Sequence, residues 1–71
     1  MMPMKAVKLQ IIESQNSVYF EKDKDGIESI EINEDNSIIK VEYNDPEWDY
    51  LIIPFNKLKS FKFKQEIEFV Y

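Results

Sequence analysis

Residues 61–71 read FKFKQEIEFVY, and this stretch decides the fold class of the 71-residue chain. Apolar and polar side chains alternate with a period of two, which is the signature of a β-strand. The odd positions from Phe61 to Tyr71 lie on one face, and the even positions from Lys62 to Val70 lie on the other. One strand of this length spans about 36 Å, more than the roughly 29 Å diameter of a compact domain of this size. The strand is expected to coil around a barrel or to project and pair with a second copy; the chemistry of Gln65-Glu66 disfavours a turn there.

Pairing with a second copy is the simplest way to stabilise such a small chain. The sequence contains no Cys and no His, so disulfides and the usual metal sites do not supplement the core, and association of subunits remains. An antiparallel pairing centred near Gln65 sets the lysines of one copy beside the glutamates of the other. We therefore expect a homo-oligomer whose self-association residues are Lys62, Lys64, Glu66, Glu68 and Tyr71.

The period of two continues through the preceding part of the chain. A first strand is predicted over residues 5–13, and three more strands are centred on Val18 and Phe20, on Ile30 and Ile32, and on residues 39–43. Polar turns separate them, and Asp25-Gly26 is a strong hairpin signal because glycine adopts positive φ freely.

The segment 50–55, YLIIPF, is apolar on both faces and predicts a central strand that ends at Pro54. Asn56 is expected to cap a short helical turn near residues 57–60, with Leu58 pointing inward. This connection between two strands resembles that of SH3-type barrels over about ten residues. The prediction is a single all-β domain, residues 1–71, with five or six antiparallel strands forming a small barrel or a strongly curled sheet.

Composition argues against catalysis. No Arg, His or Cys occurs, which removes imidazole proton transfer, thiolate nucleophiles and thiolate metal sites. Residues 21–26 carry acids at the first, third and fifth positions of a calcium-type loop, but the twelfth position is Ile32 rather than Glu. We expect a hairpin turn there, no metal, no cofactor and no enzyme activity.

Charge is distributed unevenly along the chain. The net charge is −5, and residues 21–49 carry eleven acids against three lysines. Within that segment Asp45, Glu47 and Asp49 surround Trp48, which predicts a loop that anchors a partner with a basic surface. The competing interpretation, which the small size of the chain favours, is that Trp48 folds under the loop and covers the edge of the core.

Two further charge patterns bear on possible binding functions. Lys57, Lys59, Lys62 and Lys64 form a basic stripe near Phe61 and Phe63, but on a strand the lysines and aromatics face opposite ways. Nucleic acid binding is therefore not expected, and the overall acidity supports that expectation. The carboxylates at positions 21–35 are compatible with mimicry of a phosphate backbone or with a solvated face.

The sequence predicts a non-catalytic acidic binding protein that occupies a protein surface, such as a small phage or mobile-element inhibitor or modulator of a host protein. The alternatives are a homo-oligomer that sequesters a small anionic ligand such as a nucleotide at subunit junctions, and a structural component of a larger particle. The absence of a long apolar run and of a signal-like start predicts a cytoplasmic protein without a membrane segment.

Overall fold

The computed structural model describes residues 3–66 as one antiparallel sheet of six strands. The sheet is strongly curled into a half-barrel, which confirms the predicted all-β class. The elements are β1 (Met4–Ile12), β2 (Ser17–Glu21), β3 (Ile27–Asn33), β4 (Ile38–Tyr43), β5 (Tyr50–Pro54), a 3-10 turn (Phe55–Lys57) and β6 (Ser60–Gln65). Within the described residues, no helix has the length and apolar character to cross a membrane.

The strand β1 organises the sheet because it pairs with three other strands. Residues 8–12 pair with β2 and residues 4–6 pair with β3 along one side. On the other side β1 pairs with β6, with a register shift between Ala6 and Lys8. The strands β3, β4 and β5 follow as an antiparallel meander. A strand that changes partner part-way, next to an irregular register, bends the sheet so that its inner face encloses a core.

The core is built from the inward half of the alternating pattern. Phe55, Phe61 and Phe63 pack against it, with ring centroids 5.2 Å apart for the first pair and 6.1 Å apart for the second. Among residues 3–66 no polar or charged residue is buried. The buried residues are Ala6, Leu9, Ile11, Ile27, Ile30, Ile32, Ile39 and Val41.

The turn predicted at Asp25-Gly26 forms, with φ of 55° and 77° at these two residues. The flanking strands do not pair with each other as a hairpin, however. Because β1 is long, β2 and β3 both pair with it, one after the other, and the turn links these two sites on the same edge.

The predicted central position of the fifth strand is wrong. The strand β5 lies at the end of the sheet order β2-β1-β3-β4-β5 and is therefore an edge strand. A segment that is apolar on both faces is typical of a strand that other elements cover on both sides. The chain instead crosses from β5 to β1, where β6 pairs, so no strand within residues 3–66 covers the outer side of β5.

The predicted helical turn exists but is shifted towards the N-terminus. It occupies Phe55–Lys57 rather than residues 57–60, and the extended Pro54 precedes it without a side-chain cap. Asn56 consequently lies inside the turn and does not cap it, because the fixed φ of Pro54 already ends the strand. Leu58 packs against the core, as predicted.

Candidate functional site

The loop between β4 and β5, residues 44–49, is fastened to the rest of the protein at both ends. We call it the Trp48 loop. The Asn44 N–H donates to the Gly26 carbonyl at 2.7 Å, and the Tyr43 N–H donates to the Asp49 carbonyl at 2.8 Å. Gly26 takes positive φ, which suits this approach of the two turns. The loop is therefore held against the β2–β3 turn.

Trp48 lies at the surface, with 64 % of its area exposed. The interpretation of Trp48 as a cover for the core is wrong, because the aliphatic and phenylalanine side chains fill the core without it. Asp45, Glu47 and Asp49 are exposed beside it. The Asp45 carboxylate accepts the Glu47 backbone N–H at 2.7 Å, which orders the loop as an Asx turn. The four predicted partner-binding residues thus share one exposed and ordered loop.

An apolar strand edge continues from this loop. Tyr50, Leu51 and Ile52 are 57 %, 39 % and 45 % exposed. Within residues 3–66, β5 pairs only with β4, and its other side is open. Natural sheets usually protect such an edge with charged side chains, but residues 50–53 carry none. We call the open side of Tyr50–Pro54 the β5 edge.

The backbone hydrogen bonds just before and just after β5 show which of its backbone groups point away from β4. The Asp49 carbonyl accepts a hydrogen bond from the Tyr43 N–H of β4, and the Phe55 N–H donates a hydrogen bond to the Ser37 carbonyl at 2.9 Å. Because the direction alternates along a strand, the N–H and C=O groups of Tyr50 and Ile52 point away from β4. These groups offer donors and acceptors to an added strand, whereas Pro54 has no N–H to offer.

Charges on the outer face beside the β5 edge are paired. Lys40 holds its Nζ 4.8 Å from the centroid of the Tyr50 ring and 3.4 Å from a Glu42 carboxylate oxygen. Lys5 pairs with Glu31 on the neighbouring strands. The apolar edge, rather than an excess of charge, is therefore the distinctive feature of this end of the sheet.

The predicted self-association residues are only partly within the described range. Lys62 and Lys64 are exposed on β6, as the alternation predicts. Glu66 bonds within its own chain, where its carboxylate lies 2.6 Å from the Nζ of Lys22. Glu68 and Tyr71 lie outside the described residues, as does most of the predicted overhang, so self-association stays a prediction.

The acidic middle segment is partly neutralised by lysines. Glu21 pairs with Lys24 at 2.7 Å and with Lys8 at 3.5 Å. The hydrogen bond from Lys24 is the main cause that lowers the pKa of Glu21, and the same bond raises the pKa of Lys24. Such pairing weakens the case for phosphate mimicry. In residues 3–66 no cluster of three or more acidic residues is arranged to hold a metal ion.

Tyr50, Leu51 and Ile52 are the functional candidates that the sequence interpretation missed. A run that is apolar on both faces indicated a covered strand, and the free edge becomes visible only in the sheet order. One signal was present in the sequence, since Pro54 is tolerated mainly on edge strands.

We found no protein-family model, no curated protein and no solved structure that matches the chain.

Proposed function

We propose that this chain is a non-catalytic binding domain that uses the β5 edge and the Trp48 loop to hold an extended segment of a partner protein. The observation that carries the proposal is the uncharged edge at Tyr50 and Ile52, which no second strand among residues 3–66 pairs with and which is continuous with the exposed Trp48. Occupying a partner's surface in this way makes the chain an inhibitor or modulator of that partner.

The backbone and the side chains of the surface define the partner's chemistry. Tyr50 and Ile52 supply main-chain donors and acceptors for one added strand, which is the mode of β-augmentation. Exposed aromatic side chains such as Trp48 are frequent anchors in protein interfaces. Asp45 and Glu47 beside it favour a lysine or arginine in the partner. The expected partner segment is therefore extended, with apolar side chains and a basic residue near one end.

The exposure of the charged side chains supports a role without catalysis. Among residues 3–66 every charged side chain is at least partly exposed to water. Groups that act in general acid–base or nucleophilic catalysis usually owe their reactivity to burial combined with a closely set charged partner in a cleft.

A panel of displayed linear peptides, selected on the immobilised protein, tests the proposal. We expect the selected peptides to combine alternating apolar residues with lysine or arginine. Ile52→Lys should abolish their binding because it sets a solvated charge in the apolar edge. The matched control is Val18→Lys, which introduces the same charge at a residue of similar exposure, 43 % against 45 %, on the strand at the other end of the sheet order.

Hydrogen exchange identifies the binding mode. When a selected peptide binds, the amides of Tyr50 and Ile52 should exchange more slowly, while that of Leu51, already directed at β4, should change little. Trp48→Ala should weaken the same peptides. Peptides that bind Ile52→Lys as tightly as the unmodified protein, or a selection that yields no peptide dependent on this edge, would refute the proposal.

A further inference from the structure

The outer face of β2, β1 and β6 brings lysines and an exposed aromatic ring together. The register pairs Lys8 with Glu21 and Gln10 with Tyr19 across β1 and β2. On the other side of β1 it pairs Lys8 with Lys64 and Gln10 with Lys62. We call the face formed by Lys8, Gln10, Tyr19, Lys62 and Lys64 the basic face.

A groove of about 510 Å³ runs over the basic face. Its charged lining residues are four lysines and two carboxylates, Glu21 and Asp25, so the lining carries a net charge of +2 in a chain of net charge −5. The sign of the charge is therefore reversed at this groove, and an anionic ligand is attracted here while most of the molecule repels it.

The arrangement of the lysines on the basic face destabilises the sheet locally. Lys8 and Lys64 stand directly opposite each other, and like charges in this position destabilise a sheet. None of the ion pairs among residues 3–66 uses Lys62 or Lys64. Local conflicts of this kind tend to occur where a site has a function, and a bound anion relieves this one.

Tyr19 of β2 supplies an exposed aromatic ring, which β6 itself lacks on its lysine side. Phe61 and Phe63 face the core, which is why the basic stripe alone gave no stacking platform. Tyr19 is 72 % exposed on the lysine side of the sheet, and its Oη accepts a hydrogen bond from the Gln10 Nε2 at 2.9 Å. This bond restrains the ring, so less ordering is needed when a ligand stacks on it.

We propose that the basic face binds single-stranded nucleic acid. The phosphates contact Lys8, Lys62 and Lys64, and a base stacks on Tyr19. The strands β2 and β6 flank β1, so the ring and the β6 lysines are separated by about 10 Å of sheet, a distance that one or two nucleotides span. The exposure of Tyr19 suits an extended chain that crosses the surface rather than a small molecule that needs an enclosed pocket.

Fluorescence anisotropy of a labelled oligothymidylate, titrated with the protein at several salt concentrations, tests the proposal. We expect binding at low salt, with a slope of log affinity against log salt of about −2 for three phosphate contacts. Tyr19→Ala should weaken binding by roughly 5- to 150-fold through lost stacking. The double substitution of Lys62 and Lys64 by Glu should abolish it.

Matched controls separate the basic face from general charge effects. Replacing Lys57 and Lys59 by Glu makes the same change in net charge at two exposed lysines outside the groove. Tyr50→Ala removes another exposed tyrosine, on β5. Both controls should retain at least a third of the original affinity, and circular dichroism should show that every variant is folded.

Several outcomes would overturn the proposal. They are the absence of oligonucleotide binding at low salt, equal losses in the two double-lysine variants, and an affinity that Tyr19→Ala leaves unchanged. The last outcome, together with equal binding of inorganic polyphosphate, identifies a general anion surface rather than a nucleic acid site.

Discussion

Proline substitutions at two neighbouring positions of β5 test the direction of its backbone groups, on which the proposed edge depends. In Leu51→Pro the lost N–H is the one that faces the Val41 carbonyl of β4. Val41 is fully buried, so its carbonyl loses a partner where water does not replace it. The lost bond and the orphaned acceptor together should cost about 2–4 kcal/mol. In Ile52→Pro the lost N–H faces solvent, and the expected cost is below about 1 kcal/mol.

The two substitutions are well matched, because the side chains removed are 39 % and 45 % exposed. Each 1 kcal/mol shifts the melting temperature of a domain this small by about 4–8 °C, so the Leu51 variant should melt at least about 4 °C below the Ile52 variant. Far-UV circular dichroism is the appropriate assay, because Trp48 is already exposed in the folded state and its fluorescence reports unfolding poorly. Equal losses in the two variants, or a larger loss for Ile52→Pro, would show that Tyr50 and Ile52 bond to β4 and that the edge does not offer them.

Three further predictions concern the core, a turn and an ion pair. Ile39→Ala should lower the free energy of unfolding by about 2–5 kcal/mol in urea titrations, because Ile39 is fully buried. Gly26→Ala should cost about 1–2 kcal/mol through positive φ rather than a clash, since the nearest atom to an added Cβ is 3.8 Å away; Gly26→Asn should cost less. Lys24 lowers the folded-state pKa of Glu21, so their pair stabilises the fold above the unfolded value of 4.5 and loses this effect as the pH falls through the folded pKa. The stability difference between the protein and Lys24→Gln should therefore be constant near pH 7 and shrink below about pH 4.5.

Much of the fold follows from local pattern. A period of two identifies the strands because side chains alternate between a core and a solvent face, and Asp25-Gly26 marks a turn because glycine accepts positive φ. The inward positions Leu9, Ile30 and Val41 are all buried, as their alternation with polar residues indicates. These properties depend on neighbours within a few residues, so the sequence is sufficient to predict them.

The order of the strands was not predictable in the same way. Periodicity reports that β5 is apolar on both faces, but it does not report what covers the strand. Whether β5 is covered depends on the connection after Pro54, which takes the chain to β1, so that no strand in the described part of the chain pairs with the β5 edge. The basic face was hidden for the same reason, because Tyr19 and Lys62 are 43 positions apart and meet only through their common partner β1.

The partner change along β1 also keeps the two proposed surfaces apart. The β5 edge is three strands away from β1 along the sheet, roughly 14 Å at the usual spacing. The basic face is centred on β1 itself, on residues 8–10, whereas β3 pairs with residues 4–6. Substitutions that far apart with no shared contact usually act independently. Ile52→Lys should therefore leave oligonucleotide binding unchanged, and Tyr19→Ala should leave peptide binding unchanged, so that each proposal stands or falls by its own measurement.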